Sequence, residues 1–172
     1  KSPAQLYAEK FNLIVRTPSH LDTEEEFNYL KILNPDLVVV VAYGQIIPEK
    51  FLRLSKKGFI NIHASLLPKW RGAAPIQRAI INSDKETGVS IMKIVKELDA
   101  GPVMKQVKIK LDNKTNLEEA AEKLSYVGSK LLIESLKLLF SNKEKFIEQD
   151  HGKATYAKKI NKKESKILWN DS

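Results

Sequence analysis

Apolar residues along this chain recur at two spacings, and the change from one spacing to the other marks the elements. Residues 2–10 mix Leu6, Tyr7 and Ala8 with polar neighbours and predict a short helix. Leu13, Ile14 and Val15 predict a short strand. Thr23 followed by Glu26 has the spacing of a capping box, with acidic residues in the turn it opens. The helix starting there carries Phe27, Leu30 and Leu33 on one side and stops at Asn34 and Pro35. Residues 37–42 form a β-branched run without polar alternation, the pattern of a parallel strand buried on both faces. Tyr43, Gly44 and Gln45 break it, residues 48–52 predict a brief helix, and Gly58 leads into a strand over 59–63. Residues 74–82 predict a helix with Pro75 in its first turn, where a missing N–H is tolerated.

A strand follows over 88–95. Over 103–111, Val107, Ile109 and Leu111 alternate with lysines, which suits an antiparallel or edge strand. Thr115 with Glu118 predicts a second capping box. It opens a long helix with Leu117, Ala121, Leu124, Leu131, Ser135 and Leu139 near helical spacing. Residues 145–149 predict a last small strand, and from His151 onward the chain reads as a connector. This order of strands and helices implies an open α/β sheet.

Composition narrows the class only modestly. A length of 172 residues suits one domain with a real core, at 42% hydrophobic and 29% charged residues. No apolar run approaches the ~20 residues of a membrane-spanning helix. The chain has no cysteine, which excludes disulfides, thiol chemistry and Cys-based zinc sites. Lys1, Ser2 and Pro3 form no signal-peptide pattern and include no initiator Met, which predicts a piece of a longer chain. The net charge of +8 favours a polyanionic partner such as RNA, or else a solvated lysine-rich surface. Positive charge is densest at Lys153, Lys158, Lys159, Lys162 and Lys163. No Gly-rich phosphate loop, metal-ligand cluster or Gly-x-Ser-x-Gly elbow occurs.

Chemistry concentrates in residues 61–79. If 59–63 is a strand, Asn61 and His63 project from the same face. An amide donor and a titratable donor aimed at one point can hold an oxyanion and move a proton. In open parallel sheets, ligands lie beyond the carboxyl ends of the strands. The loops after Ala42 and after His63 are therefore the natural walls, and Ser65, Leu66, Leu67 and Pro68 suit a flat heteroaromatic ligand. Asp99, in a loop with Gly101 and Pro102, is placed to face His63 and favour its charged form. Each residue also has a plainer reading. A lone His at a strand end is more often structural, Asp99 is a common turn residue, Trp70 an ordinary aromatic and Arg71 a surface cation.

Asn61-x-His63, then Ser65-Leu66-Leu67-Pro68, then Leu98-Asp99-Ala100-Gly101, closely resemble the motifs of the folate-dependent formyltransferase superfamily. The string from Trp70 to Gln77 (Trp-Arg-Gly-Ala-Ala-Pro-Ile-Gln) resembles its methionyl-tRNA-acting branch in particular. So do residues 41–44, 87–92 and 155–160. The resemblance implies a Rossmann-like open, mostly parallel sheet with flanking helices, lacking the family's first strand–helix unit. It implies a catalytic domain over 1–150, N-terminally incomplete, with 151–172 leading toward a further domain absent here. It implies formyl transfer from 10-formyltetrahydrofolate to the α-amine of initiator methionyl-tRNA, without a metal, by a cytoplasmic protein that is a monomer when complete. By position, Asn61, His63 and Asp99 are the implied catalytic residues. Ser65 to Pro68, Gln45, Ile47, Lys96 and Glu97 line the folate, and Arg71 and Gly72 lie toward the tRNA substrate. Two alternatives remain open: a formyltransferase acting on a sugar nucleotide or small amine, and a folate- or RNA-binding module without turnover.

Overall fold

The structure, a computed structural model, describes residues 1–166. In chain order it runs α1 (Pro3–Lys10), α2 (Glu24–Leu33), β1 (Val38–Val41), α3 (Glu49–Leu52), β2 (Phe59–His63), β3 (Arg71–Gly72) and α4 (Pro75–Ile81). Then follow β4 (Glu86–Lys93), β5 (Val103–Lys110), α5 (Leu117–Phe140) and β6 (Tyr156–Ala157), with single 3-10 turns at His151–Lys153 and Lys162–Ser165. The main sheet has the order β1-β2-β4-β5. The expected open, Rossmann-like α/β sheet with flanking helices is present. β1 and β2 are parallel, whereas β4 runs antiparallel to β2 and β5 antiparallel to β4. The apolar run of β4 carried no sign of that reversal, because a buried strand looks alike in either direction.

The core lies on one face of the sheet. Ile60, Val89 and Ile91 pack there against Leu124, Leu131 and Leu139 of α5. The buried row of α5 is Ala120, Leu124, Gly128, Leu131, Ser135 and Leu139, an i, i+3/i+4 stripe. Burying each such leucine contributes roughly 1.5–3 kcal/mol. Because Ile60 and Ile62 face this core, the alternate residues Asn61 and His63 face the opposite side of the sheet.

Several local expectations are corrected. Leu13, Ile14 and Val15 form no strand, since no described strand lies alongside to pair with them. Arg16 instead fastens this segment to α2 by bonding Glu25 and Glu26. That pairing takes the Glu26 side chain, so the capping box is only half made: Thr23 Oγ1 accepts from the Glu26 N–H at 3.2 Å. The valine run of β1 is not covered on both faces. It forms a sheet edge, and Val39 and Val41 stay exposed. The cap of α5 falls one residue later than expected, on Asn116, whose side chain accepts from the Glu119 N–H at 2.9 Å. Thr115 is drawn into a turn by Asp112 instead. Consequently Ala120, not Ala121, is buried, and Leu117 is exposed. Residues 145–149 make only a bridge between Ile147 and Val103.

From His151 to Lys166 the chain lies on the body of the fold. β6 pairs in parallel with β3, and Arg78 donates to the Lys158 carbonyl at 3.0 Å and pairs with Glu164 at 2.6 Å. Residues 167–172, the end of the stretch expected to lead onward, lie outside the described residues.

Candidate active site

β2 delivers His63 to the carboxyl end of the sheet, 5% exposed. Its Nε2 lies 2.8 Å from the Trp70 carbonyl oxygen. A carbonyl only accepts, so Nε2 carries the proton and donates. The other ring nitrogen, Nδ1, faces Asp99 Oδ2 at 3.7 Å. That separation is too long for a hydrogen bond. Asn61 stands one alternation earlier on the same strand, between Val40 and Met92. Among the described residues its amide has no hydrogen-bond partner, which leaves its donors for a ligand.

The carbonyl that holds His63 sits in strained backbone. Trp70 has φ +62°, a left-handed conformation unfavourable for a large side chain. Two contacts fix it and a third braces the acceptor of one of them. Its N–H donates to Thr155 Oγ1 at 2.9 Å, its indole Nε1 donates to Asp84 Oδ2 at 2.7 Å, and Lys69 pairs with the same carboxylate at 2.8 Å. Burial pushes the Asp84 carboxyl up, but hydrogen bonds from Lys69, Trp70 and Asn82 outweigh it and hold the group below its ordinary value.

Asp99 is held as firmly. It too is left-handed, at φ +47°, and its Oδ2 accepts the Gly72 N–H at 2.8 Å. The glycine two residues on is sterically required: a Cβ on Gly101 would lie 2.0 Å from the Lys93 carbonyl oxygen. Gly72 has φ +112°, and a Cβ there would lie 3.0 Å from the Ala157 oxygen. The Leu-Asp-Ala-Gly and Trp-Arg-Gly strings therefore owe their glycines to close backbone approach.

The remaining expected residues divide into groups. The loop of Ser65, Leu66, Leu67 and Pro68 follows His63 and is shaped from behind by a serine in β4. Ser90 Oγ donates to the Ser65 carbonyl at 2.6 Å and accepts the Leu67 N–H at 3.1 Å. Gln106 Nε2 adds bonds to the Leu67 carbonyl and to Ser90 Oγ. Ser65 is fully buried with its hydroxyl committed to the Lys69 carbonyl. Gln45 spends its side chain on the Ser19 carbonyl and the Leu21 N–H, which braces its own loop. Ile47 is half-buried beside it, and Lys96 and Glu97 are exposed. Ile46 at 85% and Leu98 at 60% leave apolar surface open on these two loops.

Arg71 corrects an expectation. Placed toward the substrate by the motif, it is 3% exposed and turned inward, because pairing of β3 with β6 packs its side chain under residues 149–151. Its Nε and Nη2 donate to Gln149 Oε1 at 3.1 and 2.8 Å, and Nη1 lies 3.4 Å from His151 Nδ1. Sequence reasoning missed Ser90, Gln106, Asp84 and Gln149. Ser90 had a signal, a small polar residue inside the apolar run of β4. Gln149 had none. Among the described residues no group of three or more His, Cys, Asp or Glu gathers to hold a metal. No helix among them is long and apolar enough to cross a membrane.

At the carboxyl end of the sheet, then, one strand carries an amide and an imidazole, and a carboxylate faces the imidazole. The formyl transferase family matches residues 1–136, and this chain belongs to it. Its relatives narrow the kinship. A methionyl-tRNA formyltransferase of Pelagibacter ubique is 57% identical over 100% of this chain and 56% of its own length. One from Caldicellulosiruptor saccharolyticus is 47% identical over 99% of this chain and 54% of its own. The chain thus spans about half the length of the curated relatives it matches. Among solved structures, the formyltransferase PseJ of Anoxybacillus kamchatkensis, in complex with UDP-4,6-dideoxy-4-formamido-L-AltNAc and tetrahydrofolate, superposes with a TM-score of 0.75. It is 26% identical and aligns over 98% of this chain and 86% of its own. Phosphoribosylglycinamide formyltransferase of Anaplasma phagocytophilum gives a TM-score of 0.74 at 26% identity, covering 83% and 71% of the two chains.

Proposed function

We propose that the protein transfers a formyl group from 10-formyltetrahydrofolate to the α-amine of initiator methionyl-tRNA, in the cytoplasm and as a monomer. The observation that carries the chemistry is the approach of His63 Nδ1 to Asp99 Oδ2 at 3.7 Å on the face that also bears Asn61. The acceptor is favoured by the 57% identity, over the whole chain, to a methionyl-tRNA formyltransferase. The folate donor is favoured by the tetrahydrofolate bound to PseJ.

In this reading the amine attacks the formyl carbon directly. The new N–C bond forms first and its electrons push the carbonyl pair onto oxygen; collapse of this tetrahedral oxyanion breaks the bond to the folate nitrogen, and the proton lost by the amine ends on that nitrogen. Asn61 and the Nδ1–H of a doubly protonated His63 stabilise the oxyanion. Trp70 fixes the ring by accepting from Nε2, so Nδ1 is the nitrogen that meets the reacting group. Asp99 balances the imidazolium and relays the amine proton through water. The backbone of Ser65 to Pro68, with Gln45, Ile47, Lys96 and Glu97, walls the pterin, and Gly72 borders the acceptor side. The lysines from Lys153 onward suit the tRNA backbone.

A second reading, transfer to an amino-sugar nucleotide, is favoured by the superposition on PseJ. Formylation of charged initiator tRNA and of a UDP-amino-sugar by the same preparation separates them. Turnover on tRNA alone is expected, and turnover on the sugar alone would reassign the acceptor. His63→Ala is expected to lower the rate about 10²–10³-fold, the usual loss for one oxyanion donor. A wild-type rate in that variant removes His63 from the chemistry.

A further inference from the structure

We infer that Gln149 is a positioning residue for Asp99, acting as a buried clamp between the acidic loop and β3, with Arg71 as its anchor. The inference rests on the reading of Asp99 as part of the reacting site. Gln149 is buried, 50 residues from Asp99 in sequence, and uses both ends of its amide. Nε2 donates to the Asp99 carbonyl at 2.9 Å and the Gly101 carbonyl at 2.7 Å. Oε1 accepts from two nitrogens of the Arg71 guanidinium. The residue after Arg71 is Gly72, whose N–H binds the Asp99 carboxylate. One side chain therefore closes a ring: Gln149 to the Asp99 backbone, Asp99 carboxylate to Gly72, and Gly72 through Arg71 back to Gln149.

The ring answers a mechanical need. Asp99 is left-handed, a conformation that persists only where its surroundings over-determine it. Asp99 faces His63 at a distance where a small shift changes which contact forms. Grip on both the backbone and the carboxylate sets that distance. It also explains why a buried arginine in this motif points away from solvent. Arg71 holds the clamp in register, and its own contacts are to Gln149 and His151 rather than to the reacting groups.

The amide can be tested one end at a time. Gln149→Glu keeps an acceptor for Arg71 but replaces the two N–H donors with an oxygen facing the carbonyls of Asp99 and Gly101. The intact protein is assayed for formyl transfer at saturating donor and acceptor, across pH, as Gln149→Glu, Asp99→Asn and the double variant. Thermal unfolding is followed in parallel. The expected result is a fall in kcat of about tenfold to a hundredfold for Gln149→Glu. KM for the donor should stay within about threefold and the pH profile of kcat should be displaced, with no further loss when the change is added to Asp99→Asn. Should Gln149→Glu not fold, Arg71→Lys, which breaks the two-nitrogen grip but keeps the charge, takes its place with the same expectations. Wild-type kcat in the clamp variant beside an impaired Asp99→Asn overturns the positioning role alone. So does a full multiplicative loss in the double variant. Wild-type kcat in Asp99→Asn itself overturns the site reading and this role with it.

Discussion

Trp70 at φ +62° and Asp99 at φ +47° are the two strained non-glycine residues that touch His63. Each left-handed residue costs on the order of 1–2 kcal/mol. The cost is offset by bonds reaching across the chain: Asp84 and Thr155 to Trp70, Gln149 and Gly72 to Asp99. These contacts tie down the Trp70 carbonyl on the imidazole and the Asp99 carboxylate; in the proposed reaction, such prior placement lowers reorganisation. At this scale the Asn-x-His spacing and the Leu-Asp-Ala-Gly string were legible, but the reason for their glycine was not. It lies in the Lys93 carbonyl, which a Cβ on Gly101 would meet at 2.0 Å, backbone against backbone. Gly101→Ala should therefore destabilise by roughly 2 kcal/mol or more, seen as a fall of several degrees in Tm. Turnover should fall with it as Asp99 is displaced. An unchanged Tm would show that the loop yields easily.

Elements were mostly readable where a local signal governs them. Gly58 preceding β2, Pro75 opening α4 and the lysine alternation of β5 are satisfied locally, and those elements fell near their expected places. Where two local signals compete, tertiary contacts choose. Thr115 and Asn116 are adjacent capping residues, and the Asp112 turn takes Thr115, which leaves Asn116 to cap α5. Asn116→Ala is expected to cost about 1 kcal/mol, the typical worth of an N-cap. For a domain of this size that is a Tm loss of roughly 2–4 °C. A loss of that size in Glu118→Gln, with none in Asn116→Ala, would restore the earlier cap.

At the scale of the molecule, the shifted carboxyls among the described residues all move the same way. Glu26, Asp84, Asp112, Glu134, Asp150 and Glu164 each titrate below their ordinary values of 4.5 or 3.8. A depressed carboxyl binds its proton more weakly folded than unfolded. Its stabilisation is thus present above the unfolded value and lost as pH falls through the folded one. Thermal midpoints should therefore hold between about pH 5 and 7 and decline below about pH 4.5, helped by self-repulsion in a chain of net charge +8. Asp84 is the shifted carboxyl that braces the Trp70 carbonyl on His63. Asp84→Asn should make the acid decline shallower while lowering stability at neutral pH. An identical acid profile would assign the decline to the exposed pairs instead.

The sequence by itself determined the α/β class and most of the helix and strand succession, because these depend on neighbours within a few positions, and its motifs named Asn61, His63 and Asp99 as candidates. Amphipathic spacing, capping and Gly/Pro punctuation are short-range physics. Only the tertiary structure decided that β4 runs antiparallel to β2, that the valines of β1 lie at an edge, and that Arg71 turns inward. It alone showed that Gln149 and Asp84, distant along the chain, hold Asp99 and Trp70 in conformations neither would adopt unaided. Those outcomes depend on which backbone comes to lie beside which, and hydrogen-bond partners separated by 14 residues, as Trp70 and Asp84 are, or by 50, as Asp99 and Gln149 are, leave no periodic trace in a chain.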